Sequence, residues 1–348
     1  MGILQDDARE LAQGFALAKE LEGCRVLITG ATGLIGSVLV RSLLQMNEYR
    51  ALGLQLVCPV RDLHKVWRMF PDMPVDAPIE WVECEDIASF EIADYAPLDY
   101  VFHLASPTAS GFFVAHPVET LTASILSTNH LLESLKGAVG IRAFVYVSSL
   151  ESYGAVEAGA TEHISEERQG YVDPLSPRSS YPMGKRTAEC LCAAYAEEYG
   201  LPTRIARLTQ TFGAGVSADD SRVFAQFAKS VMRDEDIVLH TEGKSAKPYC
   251  YVTDCVAALL YIALKGTDGV AYNVANASTY ISIRDMAEQL RKKFNEHIAV
   301  RLELHPEKGY APTTQLPLDT HRLESLGWKP RVDLMEMFGR LMRWYAEK

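Results

Sequence analysis

Three glycines at three-residue intervals, Gly30, Gly33 and Gly36, follow an apolar run that ends at Thr29. The run is typical of a buried strand, and the glycines permit a tight turn and close packing between that strand and a following helix. Free N–H groups at the start of such a helix bind a pyrophosphate. The spacing is one residue longer than the common dinucleotide-binding pattern, so a plain strand-to-helix turn remains an alternative for these residues alone.

A second motif lies far downstream, where Tyr181 and Lys185 stand four residues apart. On a helix this spacing places both side chains on one face. Tyrosine has an ordinary pKa of about 10 and is a poor base at neutral pH unless a cation stabilises its phenolate. Lys185 is the candidate cation, and the pair can contact both a substrate hydroxyl and the ribose of a nicotinamide cofactor.

Charge and composition exclude several classes of protein. A formal net charge of -11 without a basic cluster argues against a nucleic-acid partner. Seven cysteines without a C-x-x-C pair do not make a disulfide framework, so we expect a reducing cytoplasm. The histidines show no zinc spacing, and we expect no metal. Residues 1–22 contain no long apolar run, so we expect neither a signal peptide nor a membrane span.

Short apolar runs alternate with helical stretches, which is the pattern of a doubly wound α/β fold with a parallel sheet covered on both faces. Long amphipathic helices are predicted at Val118–Lys136 and Ser179–Tyr199. We expect an N-terminal helical extension over 1–22, a cofactor domain over 23–208 and a smaller, interleaved, mainly substrate-binding region over 209–348. Strands are predicted at Arg25–Thr29, Gln55–Val60, Ile79–Glu83, Tyr100–Leu104, Ala143–Ser148 and Thr203–Leu208.

The two motifs, in this order and separation, resemble the extended short-chain dehydrogenase/reductases that act on nucleotide sugars. Further matching segments begin at His103, Val147, Arg207, Tyr251 and Tyr272. The resemblance implies a Rossmann-type domain, a bound NAD or NADP and a homodimer built from the two long helices. Packing of their apolar faces in the core of one chain is the alternative to the homodimer. The cofactor contacts that it implies are Gly30, Thr32, Gly33, Leu34, Ile35, Gly36, Arg61, Asp86, Ile87, Leu104, Ala105, Ser106, Tyr181 and Lys185.

Cofactor choice depends on the residues after the second predicted strand. Arg61 suits the 2′-phosphate of NADP, whereas Asp62, one residue further on, suits the ribose hydroxyls of NAD. Arg61 as a surface charge is the alternative. These residues therefore leave both cofactors open.

The resemblance also implies roles for residues near Tyr181. Ser149 occupies the position of a hydroxyl that hydrogen-bonds the reacting sugar, and Glu151 that of a carboxylate kept by dehydratases and decarboxylases. The alternative for Glu151 is a carboxylate that caps the following loop. Leu150 stands where a dTDP-glucose type of dehydratase carries an acid, which weakens that assignment.

Several segments look most like the UDP-glucuronate decarboxylase subfamily. A Gln at 210 and a Lys at 247 depart from its usual Asn and Arg, and a Lys binds phosphate without the two-pronged geometry of an Arg. Arg222, and after it Arg178, could bind a substrate carboxylate, with a phosphate contact or a loop brace as alternatives. The expected substrate contacts are Ser106, Arg178, Gln210, Arg222 and Lys247.

The expected activity is oxidation of the sugar C4 hydroxyl to a 4-keto intermediate, followed by decarboxylation. A 4,6-dehydratase, a 4-epimerase and an NADPH-dependent ketosugar reductase are the enzymatic alternatives. A catalytically silent nucleotide-binding regulator is the alternative outside enzymes.

Overall fold

Seven parallel strands form the central sheet, in the order β10-β6-β5-β4-β1-β2-β3. The computed structural model describes residues 2–107, 110–156, 163–305 and 313–348. The predicted doubly wound α/β fold is confirmed. The strands of this sheet are β1 Arg25–Thr29, β2 Gln55–Val60, β3 Ile79–Glu83, β4 Tyr100–His103, β5 Ala143–Ser149, β6 Thr203–Leu208 and β10 Ala271–Val274.

Helices cover both faces of the sheet because successive side chains of each buried strand point to opposite sides. Leu27 of β1 packs into one apolar cluster, whereas Val26 and Ile28 belong to the other. The helices are α1 Ile3–Gly14, α2 Leu34–Arg50, α3 Leu63–Met69, α4 Ser110–Ala115, α5 Pro117–Leu135, α6 Ser180–Tyr199, α7 Val223–Met232, α8 Val252–Lys265, α9 Ile283–Phe294, α10 His321–Glu324 and α11 Leu334–Ala346.

The two long predicted helices are present, with ends shifted by one residue. Helix α5 begins at Pro117, where a proline loses nothing because the first N–H of a helix has no intrahelical acceptor. Helix α6 ends at Tyr199 and is followed by Gly200, whose φ of 64° is the left-handed conformation that terminates many helices. The two helices lie side by side on one face of the sheet, so residues near the start of α6 face the ends of β4 and β5.

The second half of the chain contributes to the large sheet and also builds two small ones. Strand β10 pairs with β6 at the edge of the seven-stranded sheet. The other strands form a three-stranded and a two-stranded sheet. They are β7 Gln210–Phe212, β8 Ile237–Leu239, β9 Ala246–Tyr251, β11 Asn276–Ser282 and β12 Val300–Leu302.

None of the helices in the described part of the chain combines the length and the apolar character that crossing a membrane requires.

Candidate functional site

The glycine turn brings the end of β1 against the backbone that follows β4. Gly30 has a φ of +71°, and a Cβ on it would lie 2.8 Å from the Ala105 nitrogen. A Cβ on Gly36 would overlap the Gly30 carbonyl oxygen and lie 2.9 Å from the Ala31 Cα. Both positions therefore require glycine, one for backbone conformation and both for space.

The start of α2 fits a dinucleotide pyrophosphate. Gly33 donates to the Gly30 carbonyl at 2.9 Å, and no side chain caps the helix. The N–H groups of Leu34–Gly36 have no intrahelical acceptor, which leaves them available to an anion. Thr32 is half-buried in the same turn. The space above these groups is therefore lined by donors of the kind that a diphosphate needs.

The segment after β2 separates the two residues considered for cofactor choice. Asp62 caps α3, where its Oδ1 accepts the Lys65 N–H at 3.1 Å. Arg61 is exposed and makes no hydrogen bond or ion pair with any residue in the described ranges. The Arg61 guanidinium thus has no described partner, whereas the Asp62 carboxylate already accepts a hydrogen bond from α3.

The segments after β3 and β4 complete this edge of the sheet. Asp86 caps the short helix that begins at Ile87 and accepts the Ala88 N–H at 3.0 Å. Residues 104–106 are half-buried. The Ala105 N–H donates to Thr29 Oγ1 at 3.1 Å. The predicted cofactor contacts on β1, β2, β3 and β4 all follow the carboxyl ends of parallel strands, where ligands of such sheets bind.

Tyr181 lies at the start of α6 and is buried. Its ring stacks on Phe113 of α4, with centroids 4.2 Å apart and an interplanar angle of 8°. Burial raises the pKa of Tyr181 to about 12, and the charge of Glu151 acts in the same direction. The Ser149 hydroxyl and the charge of Arg178 act to lower that pKa. Ser149 Oγ itself accepts the Glu151 N–H at 3.2 Å.

Lys185 lies one helical turn after Tyr181, as its spacing predicts. Its Nζ donates to the Val147 carbonyl at 2.8 Å and lies 5.7 Å from the centroid of the Tyr181 ring. Burial lowers the pKa of Lys185 to about 8, while Glu189 and Cys192 act to raise it. The ammonium is thus held by a carbonyl at the end of β5, on the same side of α6 as the phenol.

A buried ion pair between Glu189 and Arg207 lies next to Lys185. Glu189, one turn beyond Lys185, accepts three hydrogen bonds of 2.7–3.1 Å from Arg207 and a further one from Ser148. The Glu189 carboxylate and the Arg207 guanidinium are both buried, and each compensates the charge of the other. The paired carboxylate also acts to raise the pKa of Lys185. The sequence signal for this pair is the acid four residues after Lys185.

His103 connects three parts of the site and had no predicted role. One ring nitrogen lies 2.8 Å from Thr29 Oγ1, which also receives the Ala105 N–H, and the other lies 3.3 Å from Ser127 Oγ on α5. Burial lowers the pKa of His103 to about 3, with the charge of Lys185 acting in the same direction. The neutral imidazole therefore ties β1, β4 and α5 together beneath the glycine turn.

His103 should make the fold sensitive to acid. Its pKa is lower in the folded chain than the ordinary value of about 6.5, so its contribution to stability is present above that value and is lost as the pH falls toward 3. We expect His103 to account for a loss of about 2 kcal/mol in the free energy of unfolding between pH 7 and pH 5. Urea denaturation of His103→Asn should show a correspondingly weaker pH dependence. The exposed His297→Asn should keep the wild-type slope, and equal slopes for all three proteins would contradict the assignment.

The predicted carboxylate and two predicted cations lie together at the mouth of the site. Arg178 donates to Glu151 Oε2 at 2.9 Å, so this arginine and this carboxylate are partners. Burial lowers the pKa of Lys247 on β9, which Glu151 opposes and Arg222 reinforces. Lys247 makes no hydrogen bond or ion pair within the described ranges. Its ammonium is therefore the cation at this mouth that is available to a ligand.

The other three expected substrate contacts are arranged differently. Arg222, directly before α7, is held by both carboxylate oxygens of Asp220, with its Nε 3.0 Å from each. A substrate carboxylate would have to compete with Asp220 for this guanidinium. Gln210 begins β7 and is half-buried, and the Ser106 hydroxyl donates to the Pro107 carbonyl at 3.3 Å.

Helix α1 carries a buried acid that the sequence patterns did not indicate. Asp7 accepts from the Tyr251 hydroxyl and from Arg340 of α11, the latter at 2.7 Å. Burial raises the pKa of Asp7, and both partners act to lower it. Tyr251 directly precedes α8 and ends β9, the strand that carries Lys247. The polar cluster therefore anchors the back of the small three-stranded sheet.

Known proteins share both the sequence and the fold. UDP-glucuronic acid decarboxylase 5 of Arabidopsis thaliana is 29% identical over 314 residues, which are 90% of this chain and 86% of that protein. UDP-glucuronic acid decarboxylase 1 of Danio rerio is 26% identical over 361 residues, covering 100% of this chain and 80% of the relative.

Solved structures match at lower identity. UDP-glucuronic acid 4-epimerase from Bacillus cereus, in complex with UDP-glucuronic acid and NAD, superposes with a TM-score of 0.76 at 21% identity, covering 93% of this chain and 99% of that one. The dTDP-glucose 4,6-dehydratase of Streptomyces venezuelae with NAD bound gives 0.75 at 22% identity, covering 93% and 97%. These matches are to the fold.

The family model that describes NAD dependent epimerases and dehydratases matches residues 26–275, which include the glycine turn, Tyr181 and Lys185. This match confirms the predicted resemblance and the predicted nicotinamide cofactor. The chain belongs to the NAD dependent epimerase/dehydratase family.

Proposed function

We propose that this protein is a UDP-glucuronate decarboxylase that oxidises the sugar at C4 with bound NAD and returns the hydrogen before release. The observation that carries the proposal is the convergence of Ser149, Tyr181 and Lys185 beside the glycine turn. The similarity to UDP-glucuronic acid decarboxylases over 90% of the chain supports the choice of reaction.

The roles of the side chains follow from their contacts. Tyr181 removes the proton of the C4 hydroxyl, and Ser149 holds that hydroxyl and the phenol in line. Lys185 is positioned to bind ribose and to favour the ionised phenol. NAD, held by the N–H groups at the start of α2 and by Lys185, would supply the acceptor for the C4 hydride and a positive ring that favours the phenolate. This charge opposes the rise in the pKa of Tyr181 that burial causes.

Decarboxylation needs little further machinery once C4 is a ketone. The carboxylate on C5 is then a β-keto acid, which loses carbon dioxide because the electron pair passes into the ketone. Glu151, fixed by Arg178 at 2.9 Å, orients the sugar ring. Lys247 binds an anionic group of the substrate, since its half-buried side chain lacks a described protein partner.

Product analysis by mass spectrometry tests the proposal. The protein is incubated with NAD and, separately, with UDP-glucuronate and with UDP-, GDP-, CDP- and dTDP-glucose. Loss of carbon dioxide from UDP-glucuronate supports a decarboxylase. An unchanged mass with inverted C4 would show a 4-epimerase, and loss of water from a neutral sugar would show a dehydratase; either result overturns the proposed reaction. Stoichiometric consumption of NADPH would instead show a reductase.

Removing the charge at Lys247 should weaken substrate binding. We expect Lys247→Met to raise KM for UDP-glucuronate by about 10- to 100-fold, since a hydrogen bond to a charged group contributes about 1.5–3 kcal/mol. The effect on kcat should be smaller. Lys244→Met is the matched control, because Lys244 is exposed and paired with Glu242. Steady-state kinetics measure both constants, and equal KM values for the two variants would contradict this role.

A further inference from the structure

A cluster of three metal-binding side chains lies on the two-stranded sheet of β8 and β12, outside the proposed catalytic site. His240 directly follows β8, and Glu303 and His305 follow β12. Backbone pairing continues past both strand ends, because the Glu303 N–H donates to the Leu239 carbonyl at 2.9 Å and the His305 N–H donates to the His240 carbonyl at 3.3 Å.

Strand geometry places the three side chains on one face. The register pairs Leu302 with Leu239, so the next pair along the ladder is Glu303 with His240. Paired residues of parallel strands share a face, and so do residues two apart on one strand, such as Glu303 and His305. Leu239 is buried whereas His240 is exposed, which identifies the shared face as the outer one.

The donor atoms are close enough to share one ion. One nitrogen of each imidazole and a carboxylate oxygen of Glu303 all lie within 4.8 Å of one another, and the two rings are 5.3 Å apart. Tetrahedral zinc holds its ligands at about 2.0–2.2 Å, so its donors are separated by about 3.4 Å. Rotations of the exposed His240 and Glu303 side chains and of the half-buried His305 can supply the difference.

We infer that His240, Glu303 and His305 form a binding site for a divalent late transition metal of the Zn²⁺ class. Two imidazoles and one carboxylate are a donor set that zinc prefers, and the single negative charge of Glu303 balances part of the ionic charge. Water can occupy the fourth position because the face is open to solvent. The ion would crosslink the two strands of this sheet.

Neighbouring charges leave the site available. Arg301, which lies on the same outer face, is paired with Asp236 through a 2.5 Å contact, so its positive charge is compensated. Lys244 is likewise paired with Glu242. No zinc spacing along the sequence indicates the site, because its ligands come from two strands more than sixty residues apart in the chain.

Calorimetric titration of tag-free, metal-free protein with ZnCl₂ tests the inference. We expect wild type to bind one more equivalent than His240→Ala, and His305→Ala to weaken that binding at least about 10-fold. Zinc bound by thiols such as the exposed Cys190 is the same in both proteins, so it cancels in the difference between their numbers of bound equivalents. MgCl₂ should give no corresponding heat, because Mg²⁺ prefers oxygen ligands.

His297→Ala is the matched control, since it removes an exposed histidine that precedes β12 and lies outside the cluster. It should bind zinc like wild type, and circular dichroism should show native secondary structure in every variant. Equal zinc binding by wild type and His240→Ala, or an equal loss in His297→Ala, would overturn the inference. Binding of Mg²⁺ with the same affinity would overturn it too, because that would indicate only an acidic surface.

Discussion

Tyr181→Phe should reduce kcat by about 10²- to 10⁴-fold, because it removes the group that takes the proton from the C4 hydroxyl. The fold should survive, since phenylalanine keeps the ring that stacks on Phe113 at 4.2 Å. Single-turnover measurements that follow the absorbance of reduced nicotinamide should show the oxidation step itself slowed. Substrate binding, measured by calorimetry with UDP-glucuronate, should change much less than kcat.

Tyr199→Phe provides the matched control for this loss. Tyr199 ends the same helix, and its side chain is 45% exposed. The variant loses one hydroxyl from α6, as Tyr181→Phe does, and should retain wild-type turnover. If Tyr181→Phe also turns over substrate at the wild-type rate, the proposed acid–base role of Tyr181 is wrong.

Gly36→Ala should abolish NAD binding and lower the free energy of unfolding by about 1–3 kcal/mol. The added methyl group would overlap the Gly30 carbonyl oxygen and press on Ala31, which are backbone atoms without rotamers to change. The strand and the helix would have to separate at the point where the pyrophosphate is expected to lie. Calorimetric titration with NAD and urea denaturation measure the two effects.

Gly339→Ala tests whether any methyl group on a helical glycine has this effect. A Cβ there would meet only Phe294, at 3.9 Å, which is ordinary contact. Alanine favours a helix by up to about 1 kcal/mol over glycine, so this variant should be as stable as wild type or more so. NAD affinity should be unchanged. Equal NAD affinity in Gly36→Ala and wild type would show that the turn is only a structural connection.

Most of the parallel sheet was predictable because strands such as β1 are largely apolar and flanked by turns, whereas the edge strand β3 carries exposed glutamates. β1, β2, β3 and β6 begin and end where the sequence pattern predicts. A strand covered on both faces must be apolar throughout, so its sequence alone carries the signal. The spacing of Tyr181 and Lys185 likewise needs only the helical repeat. Strands and helices that are determined by neighbouring residues could therefore be predicted from the sequence.

Contacts that depend on the tertiary fold were not accessible. Phe113 stacks on Tyr181 across a long separation in the chain, and both carboxylate oxygens of Asp220 bind the Nε edge of the Arg222 guanidinium. No periodicity predicts which partner a charged side chain chooses, because that choice depends on which loops meet at the sheet edge. His103 illustrates the same point, since its burial and not its neighbours in sequence makes it a neutral crosslink.

The cluster around Asp7 joins the first helix of the chain to the last. The Ile3 N–H also donates to the Glu347 carboxylate at 3.0 Å, so the two described extremities meet. Helices α1 and α11 therefore pack against each other and share a hydrogen-bonded contact. Deletion of α1 should therefore loosen α11, and deletion of α11 should loosen α1.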